Sequence, residues 1–140
     1  MAEDLEALMK RFNDEVMSQG KMDLIDEIIS EDLVEHAPVP PGFPQGREGV
    51  KAYVTMFRDA FPDLKATTVA VVADGDEAWM QSTLTGTHKG ELMGIPPTNK
   101  KFEITGFDRV KFKDGKAVEH WAAQDDMGMM TQLGVAPEMG

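Results

Sequence analysis

The chain has 140 residues, which suits one domain able to bury about two-thirds of the surface that its unfolded form exposes. Its net charge of −11, from 14 basic against 25 acidic residues, argues against a nucleic-acid partner, because phosphate binding needs clustered Lys and Arg. With no cysteine, neither disulfides nor thiolate chemistry is available. We therefore expect a single globular domain over residues 1–140.

The first half of the chain has helical periodicity. Apolar residues spaced three and four apart predict an amphipathic helix that Gly20 ends, formed around Leu5, Leu8, Met9, Phe12 and Val16. A shorter helix is predicted around residues 24–29. Residues 38–46 hold four prolines and two glycines and are irregular, and they lead into a third helix that ends at Pro62.

After Asp63 the apolar period changes to two residues, which is typical of strands. Strands are predicted at residues 67–73, 77–88, 102–113 and 117–123. Asp74-Gly75-Asp76 and Asp114-Gly115 supply tight turns, so the strands that they join must be antiparallel. We therefore predict an α+β fold in which three N-terminal helices pack on a strongly curved, mostly antiparallel sheet. Such a cone leaves a pocket at its open end, and a short C-terminal helix follows.

The hydropathy of the chain bears on its location and on membrane association. No apolar run approaches the ~20 residues of a membrane span, so no membrane partner is expected. The first residues, MAEDL, lack a basic segment followed by an apolar block, which predicts a cytoplasmic location.

Two histidines adjoin rigid loops. His88 ends a predicted strand before a loop that Pro96 and Pro97 stiffen, and it either lines the rim of the pocket or faces solvent and caps loop carbonyls. His36 precedes the proline-rich loop and points either into the cone or to a backbone carbonyl.

Five motifs occur together: VEHAP at 34–38, PGFPQGREG at 41–49, FPD at 61–63, TGTHKGELMGIPPT at 85–98, and GKAVEHW at 115–121 followed by Asp125. Together they resemble the SnoaL-like polyketide cyclases of the nuclear transport factor two-like superfamily, over residues 5–134. The resemblance implies a cone-shaped α+β fold, frequent homo-oligomers, and no cofactor or metal. It also implies intramolecular aldol ring closure of a polyketide ester, although it fixes the fold better than the reaction.

The resemblance also implies an acid/base aspartate at Asp125. Strand alternation sends His120 and Trp121 to opposite faces and would put Asp125 on the face of Trp121. Either Asp125 or Asp126 could cap the C-terminal helix, and we assign the cap to Asp126 and catalysis to Asp125. In an apolar cone, desolvation would raise the pKa of this carboxyl and make it a competent base for enolate formation.

The predicted catalytic residues are Asp125, His88 and His120, and the predicted substrate-binding residues are His36, Trp121, Tyr53, Phe57 and Met93. Oxyanion donors would be His88 and His36, with Gln81 or Gln124 as lesser candidates. No metal ligand is predicted, because histidines at 36, 88 and 120 do not have HxxxH spacing.

The expected partners are a hydrophobic small molecule and a second copy of the chain, packed through the sheet. Alternatives are an isomerase or hydrolase of the same fold, or a binding module whose pocket holds no acid.

Overall fold

The computed structural model describes residues 4–136, and its architecture confirms the predicted α+β class. The described residues form helices and a five-stranded sheet. The helices are α1 (Leu5–Arg11), which continues as a π-helical segment (Phe12–Met17), α2 (Asp23–Ile28), α3 (Gly46–Ala60) and α4 (Asp126–Leu133). Gly20 follows the first helical unit with φ of +75°, the left-handed conformation that was predicted there.

The strands are β1 (Ile29–Glu35), β2 (Lys65–Asp74), β3 (Glu77–Thr87), β4 (Lys101–Lys113) and β5 (Lys116–Gln124), in the sheet order β1-β5-β4-β3-β2. The last four were predicted, and their neighbours in the sheet are antiparallel. Strand β1 was not predicted. It lies between α2 and α3 and pairs with β5 in parallel, so the helices do not all come before the sheet.

The two faces of the sheet have different environments. On β3 the buried side chains Ala78, Met80, Ser82 and Leu84 alternate with more exposed ones, which shows that the helices cover one face. We call this the concave face and its opposite the convex face. Register shifts between Thr68 and Ala70 and between Lys111 and Phe112 mark bulges, which bend the sheet.

The core fills the space between the helices and the concave face. Phe61 at the end of α3 is fully buried and lies 4.7 Å from the ring of Phe102, measured between centroids. The carboxylate of Asp63 accepts hydrogen bonds from the backbone and the hydroxyl of Thr87, both at 2.7 Å, and these lower the pKa of Asp63. This contact ties the segment before β2 to the end of β3.

Within residues 4–136, none of the helices combines the length and the apolar character that crossing a bilayer requires. The cytoplasmic location stays a prediction.

Candidate active site

A hydrogen-bonded row of ionisable side chains crosses the concave face. Nδ1 of His120 lies 2.6 Å from Oε2 of Glu35, and Nε2 of His120 lies 2.7 Å from Oδ1 of Asp108. The sheet brings them together because Glu35 on β1 is opposite His120 on β5, while Asp108 on β4 is opposite Ala122, the next β5 residue on the same face.

His120 carries the positive charge of this row. Burial disfavours its protonated form, but hydrogen bonds to Asp108 and Glu35 outweigh burial and raise the pKa of His120 to about 9. At neutral pH His120 is therefore an imidazolium that donates one N–H to each carboxylate. It holds the two carboxylates in place and has no lone pair with which to act as a base.

The two carboxylates are not equivalent. Both oxygens of Glu35 lie within 2.8 Å of Nδ1 of His120, and Oε2 also accepts from the backbone N–H of Ala37 at 3.3 Å. Asp108 uses Oδ1 for His120, whereas its Oδ2 has no hydrogen bond within residues 4–136, and 30% of its side chain is exposed. Asp108 is thus the carboxylate that can reach a ligand.

A second polar group lies beside this row. The amide of Gln124, at the end of β5, donates to the hydroxyl of Tyr53 on α3 at 3.0 Å and to Oδ1 of Asp126 at 2.8 Å. Burial, aided by the nearby carboxylates of Asp126, Asp108 and Glu35, raises the pKa of Tyr53 above its ordinary value of 10, so the phenol stays protonated.

Small residues leave room next to Asp108. Ala122 lies directly opposite Asp108, and Gly106, opposite Gln124, carries no side chain. Ala122 and Gln124 are only partly buried, as is Tyr53 above them. The part of the concave face that holds Asp108 and Tyr53 is therefore only partly covered.

The family follows from sequence comparison: the model of the SnoaL-like polyketide cyclases matches residues 7–133. The chain belongs to the SnoaL-like polyketide cyclase family. It is 29% identical to nogalonic acid methyl ester cyclase of Streptomyces nogalater over 117 residues, which cover 82% of this chain and 87% of the relative. It is 28% identical to aklanonic acid methyl ester cyclase DauD of Streptomyces sp. (strain C5) over 127 residues, covering 86% and 76%.

Solved structures agree with this assignment. TsrD of Streptomyces laurentii superposes with a TM-score of 0.85 at 25% identity, covering 96% of this chain and 99% of TsrD. IdmH of Streptomyces antibioticus superposes with a TM-score of 0.79 at 33% identity, covering 96% and 100%. The predicted family and the cone-shaped fold are thereby confirmed.

Three of the residues predicted for the site of this SnoaL-like protein come together at the concave face: His120 and Gln124 on β5, and Tyr53 on α3. Trp121 and His120 lie on opposite faces, as the alternation predicted, but Trp121 is on the convex face, with the guanidinium of Arg109 4.1 Å from its ring centroid. His36 stacks on Trp121 at 4.5 Å between centroids and contacts Glu119. The structure therefore places His36 and Trp121 outside the cone.

The other predicted site residues lie in the core or in the loop between β3 and β4. Phe57 is a core residue, 3% exposed, between Tyr53 and Phe61. Met93 is 56% exposed in the loop between β3 and β4, where its φ is +46°. His88 neither faces solvent nor lines a rim. It is fully buried against Phe61, where Nδ1 accepts from the backbone N–H of Thr98 and Nε2 has no hydrogen-bond partner in the part of the chain that the structure describes.

The assignment of the two adjacent aspartates was wrong. Asp125 is the N-cap of α4, and its Oδ1 accepts from the backbone N–H of Gly128 at 2.9 Å. Strand alternation cannot be extended to Asp125, because β5 ends at Gln124. Asp126 is the first residue of α4 and anchors Gln124. Asp125 is exposed and makes no hydrogen bond to a histidine within residues 4–136.

Sequence reasoning missed Glu35 and Asp108. Glu35 lies within the VEHAP motif, one residue before His36, so the signal was present but was assigned to the histidine. Across residues 4–136, no three carboxylate or histidine side chains are arranged as metal ligands.

Proposed function

We propose that the protein closes a ring of a polyketide methyl ester by an intramolecular aldol reaction, with Asp108 as the acid/base and without a cofactor. The observation that carries the proposal is the free Oδ2 of Asp108 on the accessible concave face, with Oδ1 held by a histidinium. The names of the cyclases from Streptomyces nogalater and Streptomyces sp. suggest the substrate class.

The reaction needs one group that first accepts and then returns a proton. Oδ2 of Asp108 would take the proton from the carbon next to a carbonyl, which leaves an enolate. The enolate carbon then attacks a second carbonyl of the same molecule, a carbon–carbon bond forms, and the second oxygen becomes an alkoxide. Asp108 returns its proton to this alkoxide, so the cycle needs no net proton and no other reactant.

Charge balance supports this role. When Asp108 takes a proton it becomes neutral while the substrate becomes anionic, so the total charge of the site stays constant. The imidazolium of His120 contacts Asp108 and would stabilise negative charge on that carboxylate or on an enolate next to it. Glu35 acts through His120 as a positioning residue, because its carboxylate holds the ring at Nδ1.

Two carboxylates on the concave face favour catalysis over a binding module, for which we expected a pocket without an acid. An isomerase of the same fold would share the first step, since it also requires removal of a carbon-bound proton.

We also propose that the convex face, which is opposite to the candidate active site, pairs with a second copy of the chain. Val72, Trp79 and Phe107 are 60, 37 and 55% exposed there, and they border a groove of about 480 Å³. Apolar side chains gathered on one face of a sheet favour association.

The test of function is incubation with nogalonic acid methyl ester and with aklanonic acid methyl ester, followed by liquid chromatography and mass spectrometry. An aldol addition loses no atoms, so we expect a product of unchanged mass and changed retention, whose carbon-13 spectrum shows one ketone replaced by a carbinol. A product of unchanged mass that keeps all its ketones would indicate an isomerase, and no product from either ester would contradict the proposal.

A further inference from the structure

The hydrogen bonds around Gln124 fix the direction of the Tyr53 hydroxyl. Nε2 of Gln124 donates to the Tyr53 oxygen and to Oδ1 of Asp126. An ionised carboxylate can only accept, so Asp126 requires that the amide nitrogen, rather than the amide oxygen, faces this side. The oxygen of Tyr53 is therefore an acceptor in its contact with Gln124.

The proton of the phenol remains available. Tyr53 donates to no side chain or carbonyl within residues 4–136, although its oxygen accepts from Gln124. Because burial and the three neighbouring carboxylates raise the pKa of Tyr53, the hydroxyl is a donor at any physiological pH. A partly buried donor that a neighbouring amide orients, and that has no acceptor among the described residues, is suited to a ligand oxygen.

Tyr53 also lies close enough to Asp108 for the charge of that carboxylate to contribute to the raised pKa of Tyr53. Gln124, which holds the hydroxyl, is diagonal to Asp108 on the same face of the β4–β5 pair. Diagonal neighbours on one sheet face are about 7–8 Å apart. The Tyr53 hydroxyl and the carboxylate of Asp108 are therefore positioned to contact neighbouring atoms of one ligand.

We propose that the Tyr53 hydroxyl donates a hydrogen bond to the enolate oxygen of the substrate while Asp108 removes the proton from the adjacent carbon. This inference rests on the proposed function. It makes Tyr53 a catalytic residue and Gln124 a positioning residue. The substrate class that fits is a ketone with a carbon-bound proton next to its carbonyl, placed with the carbonyl toward α3 and the acidic carbon toward β4.

The test uses 1-tetralone labelled with carbon-13 at its carbonyl, a bicyclic ketone that cannot cyclise. Its carbonyl resonance moves downfield when the oxygen accepts a stronger hydrogen bond. We expect the resonance of the bound ketone to lie further downfield in the wild type than in Tyr53→Phe, and the Kd to rise about 3–10-fold in the variant, the loss of one hydrogen bond. Turnover of the methyl ester should fall about 10²–10³-fold, as when one oxyanion donor is removed.

Gln124→Glu is the second variant, because it keeps the phenol and redirects its proton to the new carboxylate. It should lose the downfield shift as Tyr53→Phe does, whereas a purely structural role of the Tyr53–Gln124 contact would leave the resonance in place. Thermal unfolding of each variant establishes that it is folded.

Equal carbonyl resonances in the wild type and Tyr53→Phe would overturn the inference, and so would the absence of saturable 1-tetralone binding. Asp108→Asn separates this inference from the proposed function. This variant should keep the downfield carbonyl resonance of bound 1-tetralone and lose turnover of the methyl ester. If Asp108→Asn instead kept turnover while the shift still depended on Tyr53, the assigned base would be wrong and the hydroxyl donor would stand.

Discussion

Nε2 of His120 lies 2.7 Å from Oδ1 of Asp108, and the two residues are brought together from neighbouring strands, with Glu35 on the opposite side of the ring. Hydrogen bonds to both carboxylates keep the histidine charged at neutral pH. The pair therefore gives Asp108 a fixed orientation and a nearby positive charge, which a lone surface aspartate would lack.

This ion pair predicts a pH-dependent stability. The pKa of His120 rises from its ordinary 6.5 to about 9 in the fold, so its contribution is complete below about pH 6.5 and is lost as the pH rises through about 9. Urea unfolding of the wild type and of His120→Gln at pH 6.5 and pH 10 measures it. Between pH 6.5 and pH 10, the free energy of unfolding of the wild type should fall by on the order of 3 kcal/mol more than that of the variant. A difference that stays constant over this range would contradict the role of the charge.

The two adjacent aspartates differ in what they do for α4. Asp125→Ala should lower the free energy of unfolding by about 1 kcal/mol, because the N–H of Gly128 loses its acceptor. Asp125→Asn should be almost neutral, since asparagine is as good an N-cap. Asp126→Ala, measured in the same urea titration, removes no cap. A larger loss for Asp126→Ala than for Asp125→Ala would show that the cap is assigned to the wrong residue.

Association through the convex face is tested with a matched pair of valines. Val72 borders the groove on that face, and Val39 is 42% exposed in the proline-rich loop. Val72→Lys should convert the dimer to a monomer in sedimentation velocity at micromolar concentration, because it places a charge within an apolar interface. Val39→Lys should leave the dimer intact. A wild type that sediments as a monomer would refute the proposed pairing.

Local sequence signals predicted most of the fold. Asp114 and Gly115 both have positive φ and form the turn expected of Asp-Gly between strands. Strand β1 escaped prediction because only Ile29 and Leu33 of its core face are buried, and a spacing of four residues is also that of a helix. Its partner β5 is more than 80 residues away, so nothing local indicates the pairing.

The site was harder to predict because it depends on a bulge. Counting back from the Lys113–Lys116 pair without interruption would place His120 opposite Arg109, a residue of the convex face. Val118 is an extra residue that shifts the register, so that His120 lies opposite Val110 and beside Asp108 instead. The histidine could be picked out from the sequence, whereas both of its carboxylate partners depend on long-range pairing.

The central claim is that Asp108 removes and returns the proton, and the turnover of Asp108→Asn with the methyl ester substrate tests it most directly. Asp114→Asn is the matched control, since it removes the same charge at a turn position whose φ of +53° asparagine tolerates. We predict that Asp108→Asn lowers kcat by about 10²–10⁴, the range for loss of a general acid or base, while Asp114→Asn keeps the wild-type rate. A folded Asp108→Asn protein that turns over as fast as Asp114→Asn would contradict the account.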